Sequence, residues 1–502
     1  MTSRPVHSGK ARDHAAIRWW VLLAFVAVVV LLGGASRHDV HSLVLLRPLA
    51  VLFAGYALLI GRKEELARLP IPFFLLLALA GLMALQLLPL PPGLWSELPG
   101  RQIFVRLGQD VGLADVWRPL TLTPARTWNA LFSLSVPLAA FLLYAIQPAE
   151  RQGKVVWLMV AIGAASIALG LLQSLNGPDS VLYWYAIHNV GKPLGFFSNR
   201  NHQALFLAAI MLFAAVAAVG LSSTDRSAPF KLMLLVSFCV LTIPFLLILG
   251  SRSGVVLGFV AIVIAPMLFS GSAPARAWLG KHRGRKGRKL PVPVALLAVA
   301  AFLGTAAAVA GAALWNSRDE GFTRLFETDS TQPARTEFLP YLLQIWHDYM
   351  PLGSGFGSFD AIFRRYEKVA DLSIFYLNQA HNDWLQLGIE GGIPGLLILL
   401  AFLGWLVAKA VVTFRDRRQA PWREKTGMLA VVLLIGVGSA VDYPLRVPIM
   451  MMLMAFVISL LDRRQDVQVE RSSAYASPQT KTLAGFGMAT SSNEIAGDID
   501  VQ

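Results

Sequence analysis

The chain has 502 residues, 55% of them hydrophobic and only 15% charged. Its mean hydropathy of +0.57 excludes a soluble globule and fits a polytopic membrane protein. The formal charge of +14 does not call for nucleic acid: alternating the apolar runs across a bilayer from a cytoplasmic N-terminus leaves 27 of the 44 Lys and Arg residues inside and 15 outside. The basic run from Lys281 to Lys289 is then a topogenic, solvated loop within reach of anionic membrane lipids.

Residues 1–18 form a short cytoplasmic lead with Arg4, Lys10, Arg12 and Arg18. The apolar run that follows is longer than a signal h-region and more spans come after it, so it reads as a retained signal-anchor. Runs of bilayer length predict about twelve helices, at 19–35, 42–60, 70–90, 127–146, 155–175, 202–221, 231–249, 254–270, 291–313, 393–411, 427–443 and 446–461. The expected fold is an all-α polytopic membrane protein. Nine helices with short loops fill 19–313, one large, mostly helical outside loop covers 314–390, and three helices fill 391–461. A polar, Ser/Thr/Ala-rich tail over 462–502 is expected to be disordered and cytoplasmic, like the N-terminus.

Pro89, Pro91 and Pro92 end the third helix. Trp95, Trp117 and Trp128, near the ends of the following outside loop, suit interfacial anchoring, with stacking on sugar rings as the other use. The loop from Asn176 to Asn201 gathers aromatic residues and Arg200 just before the sixth helix. The seventh and eighth helices are joined by Gly250 to Gly254, whose one charge is Arg252. In so tight a hairpin Arg252 either snorkels to the surface or faces the bundle as an anion ligand, with flanking Gly and Ser allowing close backbone approach. The single cysteine, Cys239, makes no intramolecular disulfide possible.

In the large loop, apolar spacing predicts a helix over Leu339–Tyr349 with Pro340 as its first helical residue, then a GSGFGSF turn and an amphipathic helix over Phe359–Val369. A short helix over His381–Glu390 puts Asn382, Gln386 and Glu390 on one face, and Gly391, Gly392 and Pro394 break it before the tenth span.

All of the thirty acidic residues but one fall outside the spans so drawn, and the exception, Asp442, sits at the very end of one. A transporter or flippase would carry ionisable groups at mid-membrane. The charge available for chemistry lies at the outer surface, in Arg200, Arg252, Arg318, Arg324, Arg335, Arg364, Arg365, His347 and His381. Guanidinium groups make bidentate, pH-independent hydrogen bonds to phosphate, so such a set suits a diphosphate without a metal. The one DxD pattern, Asp498 to Asp500, lies in the tail, so neither a metal site nor a cofactor is expected. His381, followed by Asn382 and Asp383, is either a general base or orienting group, or a structural histidine at a helix cap.

SRSG at Ser251 to Gly254, the block from Arg335 to PLGSGFGSF at Pro351 to Phe359, and HNDWLQLGIEGGIPG at His381 to Gly395 follow one another around a large outside loop. With RPLTLTPART and GFFSNRNH upstream, they resemble the O-antigen ligase and polymerase superfamily of bacterial envelope glycosyltransferases, from the second span to the twelfth. The resemblance implies a multi-pass protein of the bacterial inner membrane with a periplasmic active site. It implies metal-independent, inverting transfer of a glycan from an undecaprenyl-diphosphate carrier to an acceptor hydroxyl. The acceptor is the growing polysaccharide, lipid A core or a protein, and a chain-length regulator is a possible partner. Arg252, Arg335 and His381 match the family's essential residues; Arg200, Arg324, Arg364 and Asn382 are the accompanying substrate-binding candidates. The first reading is polymerisation of exopolysaccharide or O-antigen units. Ligation to lipid A core is the alternative within the class, a lipid-linked oligosaccharide flippase the alternative outside it, and a non-catalytic export scaffold the third.

Overall fold

A computed structural model of the chain describes residues 7–222, 224–270, 272, 275, 338–369, 377–417 and 421–463. In chain order its helices are α1 (His7–Leu32), α2 (Leu43–Ile60), α3 (Lys63–Leu66), α4 (Ile71–Gln86), α5 (Pro92–Ser96), α6 (Gln102–Asp110), α7 (Pro124–Ser133), α8 (Ser135–Ala145), α9 (Ala149–Gln152), α10 (Lys154–Leu175), α11 (Arg200–Val219), α12 (Ala228–Leu249) and α13 (Arg252–Ser270). They continue with α14 (Leu339–Tyr349), α15 (Phe359–Tyr366), α16 (Asp383–Arg415), α17 (Trp422–Val441) and α18 (Pro448–Asp462). Two-residue strands β1 (Pro89–Leu90) and β2 (Arg118–Pro119) pair antiparallel.

The protein is an all-α polytopic membrane protein. Among the described residues, nine helical segments are long and apolar enough to cross a membrane, and α4 and α18 are shorter apolar helices. These cover eleven of the twelve expected spans. The remaining one, the ninth at 291–313, lies outside the described residues, as do most of the tail and the loop up to residue 337.

α11 is the centre of the bundle: every residue from His202 to Ala218 is buried. It packs against α10, α12, α13 and α17. Its alanines keep the helix thin, and small residues on the partners let backbones approach, the usual device where packing rather than water drives association. At Gly254 of α13 an added Cβ would fall on the Cβ of Ala204.

Polar contacts tie the helix ends at each end of the bundle. At one end the Arg18 guanidinium donates to Glu65 Oε1 (2.8 Å) and to the carbonyls of Ile146 (2.9 Å) and Ile60 (3.1 Å), joining α1, α2, α3 and α8. At the other, Gly34 N donates to Tyr185 Oη (2.6 Å), Ser198 N to the Gly34 carbonyl (3.1 Å), and Ile449 N to the Gly33 carbonyl (3.1 Å). Leu122 N donates to the Ser354 carbonyl at 3.0 Å, so the loop after α4 joins the same layer.

The expectation for the tryptophans needs one correction. Trp95 is not an interfacial anchor: it is buried, its Nε1 donates to the Pro119 carbonyl (2.9 Å), and the Arg101 and Arg118 guanidiniums lie 5.7 and 5.0 Å from its ring centroid. The β1–β2 pair folds the loop back over it. Burial pushes the pKa of Arg101 down to about 10. Trp117 and Trp128 are 60% and 47% exposed and remain free to anchor.

The Gly254 contact yields a stability test. Gly254→Leu should destabilise the protein by about 1–3 kcal/mol through overpacking against α11. Thermal unfolding in detergent checks this, with Gly404→Ala as the neutral control, since a Cβ there meets nothing within 4 Å.

Candidate functional site

The site is organised by the start of α16. Asn382 is the N-cap: its Oδ1 accepts from Leu385 N at 3.0 Å, satisfying one of the free donors of the first turn. His381, just before it, has φ +49, the one non-glycine residue in left-handed backbone among the described residues. Such a residue costs about 1–3 kcal/mol and persists where its surroundings over-determine it. One turn on, Gln386 accepts from Ala380 N (2.9 Å) and donates to Gln379 Oε1 (2.6 Å) and Glu390 Oε1 (3.0 Å). The stripe of Asn382, Gln386 and Glu390 is therefore a polar spine that fixes the chain entering the helix.

The expected break before the tenth span is a kink inside one helix: Gly392 has φ +59 and ψ −154 within α16. The PLGSGFGSF segment clasps it. Ile393 N donates to the Pro351 carbonyl (2.8 Å), Ser354 N to the Ile389 carbonyl (2.9 Å) and Gly355 N to the Glu390 carbonyl (3.0 Å). Gln86 of α4 completes the clasp, donating to the Glu390 carbonyl and accepting from Phe356 N, each at 3.0 Å.

Because α16 begins ten residues before the drawn span, a spanning helix carries Asp383 and Glu390. This corrects the expectation that no spanning helix holds acidic groups. Glu390 is fully buried. Arg446, in the turn between α17 and α18, pairs with both: Nε lies 3.2 Å from Asp383 Oδ1 and a terminal nitrogen 3.4 Å from Glu390 Oε2. Burial disfavours the charge on Arg446, but the two carboxylates outweigh it and raise the pKa above the ordinary arginine value.

The same turn supplies Asp442 and Tyr443. His381 Nδ1 lies 3.2 Å from Asp442 Oδ1, and Nε2 of the buried His202 lies 3.9 Å from that oxygen. The Tyr443 ring meets both imidazoles edge-on, with centroids 4.8 and 5.2 Å away. One carboxylate thus faces two histidines, one from the start of α11 and one from the entry to α16.

The hairpin expected to hold Arg252 is tighter than drawn. Gly250, with φ +65, ends α12, and Arg252 already opens α13. Ser251 is buried; its hydroxyl donates to Asn201 Oδ1 (2.9 Å) and accepts from Gly254 N (3.1 Å), capping α13. This pins the start of α13 to the start of α11, where Arg200 and His202 flank Asn201. Arg200, Arg252, His381 and Asn382 are therefore brought to one end of the bundle. Arg364 is held differently: its Nε donates to Asp360 Oδ1 at 2.9 Å, and Arg126 approaches Asp360 Oδ2 at 3.0 Å. Arg318, Arg324 and Arg335 lie outside the described residues.

A cavity of about 690 Å³ opens on the other side of the α16 start. Its walls, from α2, α4, α8, α16, α17 and α18, are apolar over most of their length. One end is charged, with Arg47, Arg126, Asp360, Asp383, Glu390 and Arg446.

Asp442, Tyr443 and Arg446 are the residues that sequence reasoning passed over. Their signal was present in DYPLR: opposite charges in a turn between two apolar runs, the same argument that singled out Arg252.

Residues 237–400, about a third of the chain, match the family model described as O-antigen ligase. The match runs from α12 into α16 and contains Arg252, Arg324, Arg335, Arg364, His381 and Asn382. No curated protein matches the chain.

The charged triad gives a stability prediction. Arg446→Gln leaves two buried carboxylates without their cation and should cost about 3–5 kcal/mol. Adding Glu390→Gln should recover part of the loss, because the two sites are coupled. Thermal unfolding of the single and double variants checks both.

Proposed function

We propose that the chain, whose residues 237–400 match the O-antigen ligase family model, is a membrane glycosyltransferase of the bacterial inner membrane. It moves a glycan from an undecaprenyl-diphosphate carrier to an acceptor hydroxyl at the periplasmic face. The site end of the bundle faces the periplasm and both termini are cytoplasmic, in keeping with the basic inside loops. The product is a lengthened exopolysaccharide or O-antigen chain; ligation to lipid A core is the same chemistry with another acceptor.

The observation that carries this reading is the strained His381 facing Asp442 across 3.2 Å. With Nδ1 protonated towards Asp442, Nε2 of His381 takes the proton of the acceptor hydroxyl. The acceptor oxygen attacks the anomeric carbon, and the bond from that carbon to the diphosphate oxygen breaks with its electron pair leaving on the diphosphate. Arg252 and Arg335 stabilise that charge, the work a metal performs elsewhere. Arg200, Arg324 and Arg364 bind the donor's phosphates or sugars, and Asn382 holds His381 by capping α16. Asp442 stabilises the imidazolium that forms, as a carboxylate does behind a catalytic histidine.

The test is transfer by purified protein from a defined undecaprenyl-diphosphate oligosaccharide, with EDTA present. The same lipid-linked unit and rough lipopolysaccharide are offered as acceptors. A ladder of longer lipid-linked chains supports polymerisation, and a shifted lipopolysaccharide band supports ligation. His381→Ala and Arg252→Ala should each lose about 10²-fold or more of the rate; full activity in both would overturn the assignment. Asp442→Asn should lower kcat by roughly 10²–10⁴-fold with KM little changed, measured under the same conditions.

A further inference from the structure

We infer that the lateral cavity is a second lipid-phosphate site, in which Arg47 binds the phosphates of a polyprenyl-linked acceptor saccharide and the apolar slot holds its chain. This rests on the glycosyl transfer proposed above and names the acceptor class.

Arg47 lies in α2, a spanning helix, where a cation is costly unless it serves a ligand or a partner. Among the described residues no carboxylate pairs with it. Its guanidinium donates to the neutral Asn129 Oδ1 (2.7 Å), and its Nε is buried with no hydrogen-bond partner. The other two arginines at this end of the cavity differ, since Arg126 faces Asp360 and Arg446 faces Asp383 and Glu390. An anion in the cavity would complete Arg47 with a charge-assisted pair.

The rest of the cavity says what carries that anion. Leu76, Leu79, Phe402, Leu406 and Ile458 line the slot, and Leu433 and Val437 on its wall are 59% and 58% exposed, so it opens sideways where α17 would meet lipid. About 690 Å³ is the scale of a one-ligand pocket. A single polyprenyl chain enters such a slot, whereas an anchor with several acyl chains needs several slots.

Distance along the substrate assigns it to the acceptor. The donor diphosphate must sit at the reacting carbon. In a lipid-linked acceptor, the phosphates lie a whole saccharide unit away from the hydroxyl that reacts. Arg200 and Arg252, on α11 and α13, line no part of this cavity, and no residue of those helices does among those described. Asn378, Gln379 and Asp383 do line it, next to His381. A saccharide anchored at Arg47 therefore extends along these residues to the base.

Native mass spectrometry of the full chain with a polyprenyl-diphosphate oligosaccharide counts bound lipids without relying on turnover. The wild type should bind two. Arg47→Gln should bind one, as should Leu433→Trp, which blocks the slot far from His381, while Arg47→Lys should keep two. In transfer assays with a donor blocked at its acceptor hydroxyl, Arg47→Gln should raise the KM of the lipid-linked acceptor about tenfold or more and leave the donor KM unchanged. One lipid on the wild type, two on Arg47→Gln, or a rise in the donor KM instead would overturn the inference. Two bound lipids without any transfer would keep the site and overturn the proposed reaction.

Discussion

Arg446 holds the start of α16 against the turn between α17 and α18, and the geometry of the candidate site follows from that tie. Its two ion pairs fix Asp383 and Glu390, one at each end of the polar spine that sets the path of the chain at His381. Since Asp442 is in the same turn as Arg446, docking the turn also delivers the carboxylate to the imidazole. The energy is that of a buried pair: removing one partner is far worse than the net worth of the interaction, because charges stripped of water are left uncompensated. That asymmetry makes the arrangement a strong constraint on position even if its net contribution to stability is small.

The fold was largely legible in the sequence because membrane helices are written in long apolar runs. Within the outer layer, α14 occupies the residues assigned by apolar spacing, and Gly392 breaks the helical path where Gly and Pro cluster. Local signals also gave the one-faced stripe of Asn382, Gln386 and Glu390, which the structure turns into hydrogen bonds. What the sequence could not supply was partnership across the bundle. Asp442 and His381 are separated by a whole spanning hairpin, and no periodicity links them. That Arg446 pairs with Glu390 depends on how α17 and α18 dock. Trp95 shows the same limit: composition suggests an interfacial residue, while a two-residue strand pair buries it.

The bundle has an uneven architecture with functional sense. α11 is buried from His202 to Ala218 and packed by four neighbouring helices, so the start of α11, with Arg200 and His202, stands on a rigid post. The opposite wall, formed by α4, α16 and α18, leaves the lateral cavity between helices. One side therefore supplies fixed charge and the other supplies room, with His381 between them. A bimolecular reaction of two bulky, chain-anchored reactants needs that division, because most of the advantage of such catalysis is holding both in register.

The clasp around the α16 kink has an evolutionary consequence. A Cβ at Gly353 would stand 2.6 Å from the Glu390 carbonyl oxygen and 2.7 Å from Gly392 N, and a Cβ at Gly392 would stand 2.7 Å from Gly353 N. Both residues also have positive φ, +78 and +59. Neither can accept a side chain while the other strand of the clasp stays where it is, so a neutral drift step at one position is closed off by the other. The two glycines should behave in descent as one inherited character, retained together or lost together with the loop they hold.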